Sequence, residues 1–394
     1  MKRYLFILLL ATLIATLTLA LSSCDITPST DGYPPSDEGD KGEIPGNSDT
    51  PGSEAEHTHS PSASVKENVI EPTCYVKGSY DEVIYCSGCG TELERSNKES
   101  EKLSHSFDNG ICAHCSEPKF SEGLWIDPNG DGTASLYGIG SCTDTDIVIP
   151  SRAPDGEPVT KIKPSAFEDL ENITSIKIPD TVVEIELDAF KGCTSLKSII
   201  IPDSVTCISG WLFQDCTSLT DVTLGNGIKE IPSCMFYGCE SLTNVTIPDG
   251  VTNIDASAFY GCKALKSINI PESVETINYM AFFACFSLER IELPDGLTYL
   301  GEDAFSSCYA LKEITIPSGI TSIEGATFYD CESLMKISLP IGITDIDEYA
   351  FEGCDKLFTV YYAGSREDWD KIRIYPHNDP LGRSTLHCEG DNQK

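Results

Sequence analysis

Apolar positions return along most of this chain with one fixed step. Phe167, Phe190, Phe213, Phe236, Phe259, Phe282, Phe305, Phe328 and Phe351 are spaced 23 residues apart, with no insertion between them. Three residues after each comes Cys193, Cys216, Cys239, Cys262, Cys285, Cys308, Cys331 or Cys354, with Leu170 in the first repeat. Six after comes Ile173, then a leucine from Leu196 to Leu357. Paired aliphatics such as Ile199 and Ile201 follow, then a proline (Pro179, Pro202, Pro248 and onward, Gly225 once), then pairs such as Val205 and Ile208. A fixed period in the twenties is the signature of a solenoid, whose coils are each too short to bury an apolar side alone and share one core by stacking. The L-x-x-I-x-I section alternates with period two, which predicts one short parallel strand per coil. The A-F-x-x-C-x-x-L section has apolar residues three apart, which suits a helical or 3₁₀ turn on the opposite side. The proline ends the strand, since it cannot donate to a ladder.

The period defines nine coils over residues 165–362 and leaves two ends to cover. Residues 120–164 read as the N-terminal cap: a hairpin turn at Asp127–Gly132, then strands near Thr133–Gly138 and Asp146–Ile149. Asp127, Asn129 and Asp131 have the start of a calcium loop, but Gly138 stands where such a loop needs Glu, so a turn is the reading. Residues 363–394 read as the C-terminal cap, with a short helix Arg366–Ile372 capped by Ser365 and Trp369 covering the last coil. The eight cysteines in register lie between a core Phe and a core Leu, which makes them small buried hydrophobes. Parallel neighbours in a ladder also have poor geometry for disulfides.

The chain's start follows different rules. Lys2 and Arg3 precede an apolar run from Tyr4 to Leu21, and Leu21-Ser22-Ser23-Cys24 follows. A charged start, an apolar stretch and small residues describe an export signal over residues 1–23. The Leu-Ser-Ser-Cys ending resembles the lipobox of bacterial lipoproteins, which implies cleavage before Cys24 and lipidation of its thiol. Residues 24–70 are acidic and rich in Pro, Ser and Gly. Such a segment cannot bury enough apolar surface to offset its ordering entropy, so it reads as a disordered tether. His57 and His59 near its end are minor metal-ligand candidates.

Residues 71–118 carry two knuckles, Cys86-Ser-Gly-Cys89 and Cys112-Ala-His-Cys115. Paired C-x₂-C turns at this separation suit tetrahedral zinc, with Cys86, Cys89, Cys112 and Cys115 as the expected ligands and Cys74 and His105 as alternates. Such a zinc is structural, because a module this small has little core and four protein ligands leave no position for a reactive water. Disulfides are the competing reading in an exported protein. The segment resembles short Cys/His modules, of zinc-ribbon type, placed before repeat domains in anaerobe surface proteins.

The repeat itself, A-F-x-x-C-x-x-L-x-x-I-x-I-P-x-x-V-x-x-I, resembles the BspA-like leucine-rich repeats of bacterial surface proteins, over about residues 122–390. The resemblance implies an α/β solenoid of leucine-rich repeat type, a location on the bacterial cell surface and a role in adhesion or host contact. Ligand-facing residues then lie eight and ten positions after each Phe: Ser198, Asp221, Thr223, Asn244, Thr246, Ser267, Asn269, Arg290, Glu292, Glu313, Thr315, Lys336 and Ser338. The chain has 394 residues, 62 acids, 27 bases and a formal charge of −35, which excludes sequence-general binding to nucleic acid. No nucleophile elbow or phosphate-binding glycine loop is present, so the reading is not an enzyme. The expected partners are the membrane, through the lipid anchor, and an extracellular protein or glycan ligand. Two other readings compete: a structural envelope component without a ligand, and a metal-responsive accessory protein.

Overall fold

The structure, a computed structural model, describes residues 58–390. The chain divides into two units, with the boundary between Leu103 and Ser104. The first holds a three-stranded antiparallel sheet: β1 (Val65–Ile70), β2 (Gly78–Tyr85) and β3 (Glu92–Ser100), in that order. Val65 pairs with Val83, and Val83 with Arg95. Val83 is fully buried, while nearly all of β1 and β3 is exposed. A charged cluster supplements this thin core: Arg95 reaches Glu67 at 3.0 Å, Asp81 at 2.9 Å and Glu92 at 2.8 Å. The strand Val65–Ile70 corrects one expectation, because the acidic tether was drawn to residue 70. Backbone pairing with β2 orders a strand whose aliphatics, Val65, Val69 and Ile70, stay exposed and contribute little burial. Cys24 and the apolar leader lie outside the described residues. Among those described, no helix is long and apolar enough to cross a membrane.

The second unit opens with a tight hairpin, β4 (Phe107–Asp108) and β5 (Ile111–Cys112). Asn109 and Gly110 make its turn at φ 49° and 81°, the pair of left-handed residues such a turn needs. The rest is a β-solenoid of about 11 coils of about 23 residues, with almost no helix. The strands expected from L-x-x-I-x-I are present in seven of the nine coils and pair in parallel with a 23-residue register: Ser175 opposite Ser198, Ser198 opposite Asp221, Asp221 opposite Asn244. In the other two coils only an isolated bridge, Asn269 with Glu292, takes their place. Two more rungs than the nine phenylalanines arise because each cap supplies one, Asp146–Val148 at the start and Thr385–Cys388 at the end.

Each coil also carries more strand than the pattern predicted. A second parallel ladder runs through the V-x-x-I section, including Glu184–Ile185, Cys207–Ile208, Asn253–Ile254 and Thr276–Ile277. The third side is the A-F-x-x-C turn, and it too is tied from coil to coil: Ser165 N–H donates to Leu187 O at 3.0 Å, Phe167 to Ala189 at 2.8 Å and Asp169 to Lys191 at 2.8 Å. Donation from every second residue requires an alternating backbone. The residue two before each Phe is left-handed throughout, from Ser165 (φ 57°) to Tyr349 (φ 63°). The residue two after is left-handed as well, and there Gly192, Gly238 and Gly353 face Asp169, Asp215 and Asp330 of the coil before, where any Cβ would strike the carboxylate. Within the turn the bonds run from i to i−3, as in Glu168 N–H to Ser165 O at 3.1 Å, so the section is 3₁₀-like and never becomes an α-helix.

All nine phenylalanine rings are fully buried. They stack from coil to coil at 5.0–5.8 Å between centroids. Such pairs add roughly 0.5–1.5 kcal/mol each beyond the area they bury. At the C-terminal end, Ser365 caps α1 (Arg366–Trp369), and Trp369 packs edge-on to buried Tyr362 at 5.4 Å. The turn ladder is closed by a side chain. Asn378 Oδ1 accepts from Phe351 N–H at 2.9 Å, the place a further coil's carbonyl would fill, while its Nδ2 donates to Asp347 O and Tyr375 O.

Candidate binding face and metal-ligating knuckles

The first ladder has two faces because its strands alternate. In Ser198–Ile200, Asp221–Thr223 and Glu313–Thr315 the middle residue is buried and its neighbours are exposed. Ser198, Asp221, Thr223, Asn244, Thr246, Ser267, Asn269, Arg290, Glu292, Glu313, Thr315 and Lys336 all face solvent, and Ser338 is half-buried. The rungs differ in how far their polar groups are already used. Asp221 accepts from Thr220 Oγ1 at 2.6 Å and from Asn244 Nδ2 one coil on at 2.7 Å, and these donors hold its carboxyl below the usual range. Asp146 is lowered likewise by Thr174 and Ser175. Thr223, Thr246, Asn269 and Thr315 make no side-chain hydrogen bond to any other described residue. Exposed apolar side chains punctuate the same face, chiefly Ile200 at 67% and Tyr361, which stacks on His387 at 5.2 Å.

The turn side holds a feature that the face pattern did not show. Tyr237, Tyr260 and Phe283, each one residue after a core Phe, stack at 4.5 and 4.9 Å, with Trp211 tilted against Tyr237. The signal was in the sequence, as aromatics at this position in four of nine coils, three of them consecutive and Tyr329 apart from them.

The knuckles are each built the same way. Cys86 O accepts from Gly90 N–H at 2.9 Å, and Gly90 is left-handed at φ 72°. Cys112 O accepts from Ser116 N–H at 2.9 Å, and Ser116 is left-handed at φ 63°. In the first unit Cys86 and Cys89 gather with His59, all three donor atoms lying within 4.8 Å of one another, and Cys89 Sγ is 3.3 Å from His59 Nδ1. In the second unit Cys112 and Cys115 gather with His105 within the same limit, and Cys115 Sγ is 3.5 Å from His105 Nδ1. Cys74 lies in the bend between β1 and β2. The hydrogen bond from His59 pulls the Cys86 thiol down to about 5, and backbone N–H donors of the turn add to it. Burial pushes the Cys112 thiol up, yet the N–H groups of His114, Cys115 and Ser106 outweigh it and bring it to about 5. These are thiolates at neutral pH, the form that ligates a soft cation. The knuckle sulfurs are not joined in disulfides.

The family model for the BspA type leucine rich repeat region matches six copies across residues 160–285 and 229–358. The chain belongs to the BspA-type leucine-rich repeat family. Solved structures similar to it include a leucine-rich repeat protein of Bacteroides ovatus (28% identity, 68% of this chain and 78% of that one, TM-score 0.48). Others are a leucine rich cell surface protein of Faecalibacterium prausnitzii (26%, 69% and 98%, 0.32) and a leucine rich repeat protein of T. pallidum (22%, 60% and 88%, 0.37). No curated protein matches.

Within the BspA-type repeat the cysteine has a definite task. Cys193 Sγ donates to Phe167 O of the coil before at 3.2 Å, and the same bond recurs up to Cys354 and Phe328 at 3.1 Å. Burial pushes the thiols up, to about 12 for Cys193 and Cys354. They stay protonated, donate S–H and are shielded from oxidants, the opposite of the knuckle thiolates.

Proposed function

We propose that this BspA-type protein is exported, anchored to the membrane by a lipid on Cys24, and binds an extracellular protein or glycan through the strand face of its solenoid. One observation carries the reading. The stacked coils present Thr223, Thr246 and Asn269 one coil apart and Thr315 two coils further on, all in solvent and without a side-chain hydrogen bond to any other described residue. Fixed backbone spacing lowers the entropy cost of binding. The similar Faecalibacterium prausnitzii structure, described as a cell surface protein, and the lipobox-like start support the location. Metal at the knuckles is structural in this reading and takes no part in a reaction. The test is a glycan array and a protein pull-down with the full chain beside a variant carrying Lys at positions 223, 246, 269 and 315. Ligand retention by the parent and its loss in the variant supports the reading. Equal behaviour of the two favours a structural envelope component, for which the internally paired Asp221 and Asn244 already speak.

A further inference from the structure

The first unit poses a stability problem. Three strands with Val83 as the central buried aliphatic do not make a core that holds a sheet of this size. Small units of this kind are held by a disulfide or a metal, and the Cys86 and Cys89 sulfurs are not disulfide-bonded. What the unit does have is a converging set of soft donors at the end of β2. Cys86 follows the last residue of β2, and His59 is brought to it by the pairing of Pro61 with Cys86 and by Ser62 N–H donating to Tyr85 O at 2.7 Å. The second knuckle repeats the arrangement with different sequence. There the imidazole of His105 is set by its neighbours, parallel to Phe107 at 5.8 Å and edge-on to Phe120 at 5.1 Å.

We propose that each knuckle binds its own zinc ion, one held by His59, Cys86 and Cys89 and the other by His105, Cys112 and Cys115. The geometry fits. Zinc with sulfur at about 2.3 Å places tetrahedral ligand atoms roughly 3.7 Å apart. Donor atoms already within 4.8 Å need only small side-chain movements to reach that. The identical left-handed residue after the second cysteine, Gly90 in one and Ser116 in the other, shows that both turns take the form that aims backbone N–H groups at thiolates. In the second knuckle that form is imposed on a serine, which takes a left-handed φ less readily than glycine. Binding fastens the segment around His59, which composition alone assigns to the tether, onto the folded sheet. The assignment replaces the shared site of Cys86, Cys89, Cys112 and Cys115 that the knuckle spacing suggested, and it is independent of whether the strand face binds a ligand.

The experiment uses the full chain purified anaerobically, with zinc measured by elemental analysis and cobalt as a spectroscopic probe. Two metal ions per chain are expected, each with thiolate-to-cobalt charge transfer. Cys86→Ser with Cys89→Ser removes one equivalent and leaves the other, and Cys112→Ser with Cys115→Ser does the converse. His59→Ala changes an exposed residue and keeps both cysteines; it weakens one site by at least roughly tenfold and leaves the second unchanged. A single equivalent abolished by either cysteine pair overturns the proposal in favour of one shared site. Knuckle cysteines that resist alkylation as disulfides and take no cobalt overturn it as well, as does unchanged affinity in His59→Ala.

Discussion

The sheet of residues 58–103 and the solenoid are stabilised in different ways. The solenoid repeats one solution, a ring, a thiol and five aliphatics per coil, so its core grows with every coil and every backbone side is tied to the next. The sheet buries little and relies on a guanidinium among carboxylates and on donors gathered at a knuckle. The same residue type marks the contrast. The ladder cysteines such as Cys193 are pushed up by burial, whereas Cys86 and Cys112 are pulled down by the hydrogen-bond donors that converge on them. Cysteine chemistry is therefore set by surroundings, and the count of 18 cysteines carries no single meaning.

The largest test of that contrast is Phe259→Ala in the middle of the ring stack. Its ring is fully buried and stacks on Phe236 at 5.1 Å and on Phe282 at 5.0 Å. The expected loss is about 3–5 kcal/mol in the solenoid's unfolding free energy, read by denaturant titration. Hydrogen exchange of the 58–103 sheet should be unaffected. Equal loosening of both units would show them to be one cooperative body and end the comparison.

Next comes Asn378→Ala. It removes the acceptor that closes the turn ladder on the buried Phe351 N–H and leaves two further, part-buried backbone carbonyls, of Asp347 and Tyr375, without their donor. A loss of about 1–3 kcal/mol is expected, concentrated in the last coils by hydrogen exchange. Protection lost evenly along all the coils would show that the end is not a separate weak point.

These two sites also show what the chain made readable. Phe259 was legible because ring burial recurs at a constant step. Asn378 was not, because a cap acts once and leaves no period. The second ladder escaped for a different reason: its strands, such as Glu184–Ile185, are two residues long and fall in a section spaced by three, so no alternation marks them. The left-handed position two before each Phe holds Ser165, Trp211, Met280 and Tyr349 among others, so residue type gives no hint of the backbone there. On the site side, the outward residues followed from period two. The knuckles were plain, but their histidine partners were not settled by spacing. His59 reaches Cys86 only because β1 and the residues before it pair with β2, and composition had marked that stretch as unstructured.

Asp303 gives a smaller, pH-dependent effect inside the solenoid. Burial raises its carboxyl to about 7, against an ordinary value of 3.8. For an acid raised by folding, the protonated form is the one the fold favours. Stability is then fully present below pH 4 and falls as pH rises through 7. Asp303→Asn keeps a residue tolerant of φ 58° and removes the ionisation. The variant should be more stable than the parent by about 1–2 kcal/mol at pH 8, with the gap closing by pH 4. A gap independent of pH would mean that the carboxylate is solvated.

The smallest effect belongs to the sheet and should depend on salt rather than pH. Arg95 lies about a third exposed among Glu67, Asp81 and Glu92, and the three carboxylates hold its guanidinium well above its ordinary value. Single exposed pairs contribute about 0.2–1 kcal/mol, and solvent screens each of these. Arg95→Gln keeps much of the stem that lies on the sheet but removes the charge. The expected cost is small at low ionic strength, read as faster exchange of β1 and β3 amides, and it should shrink at 1 M salt, where the Debye length is about 3 Å. Solenoid amides should not respond, because the ring stack has no charge to screen. A salt-independent loss confined to the sheet would instead assign Arg95 a packing role, with its stem rather than its charge covering the thin core.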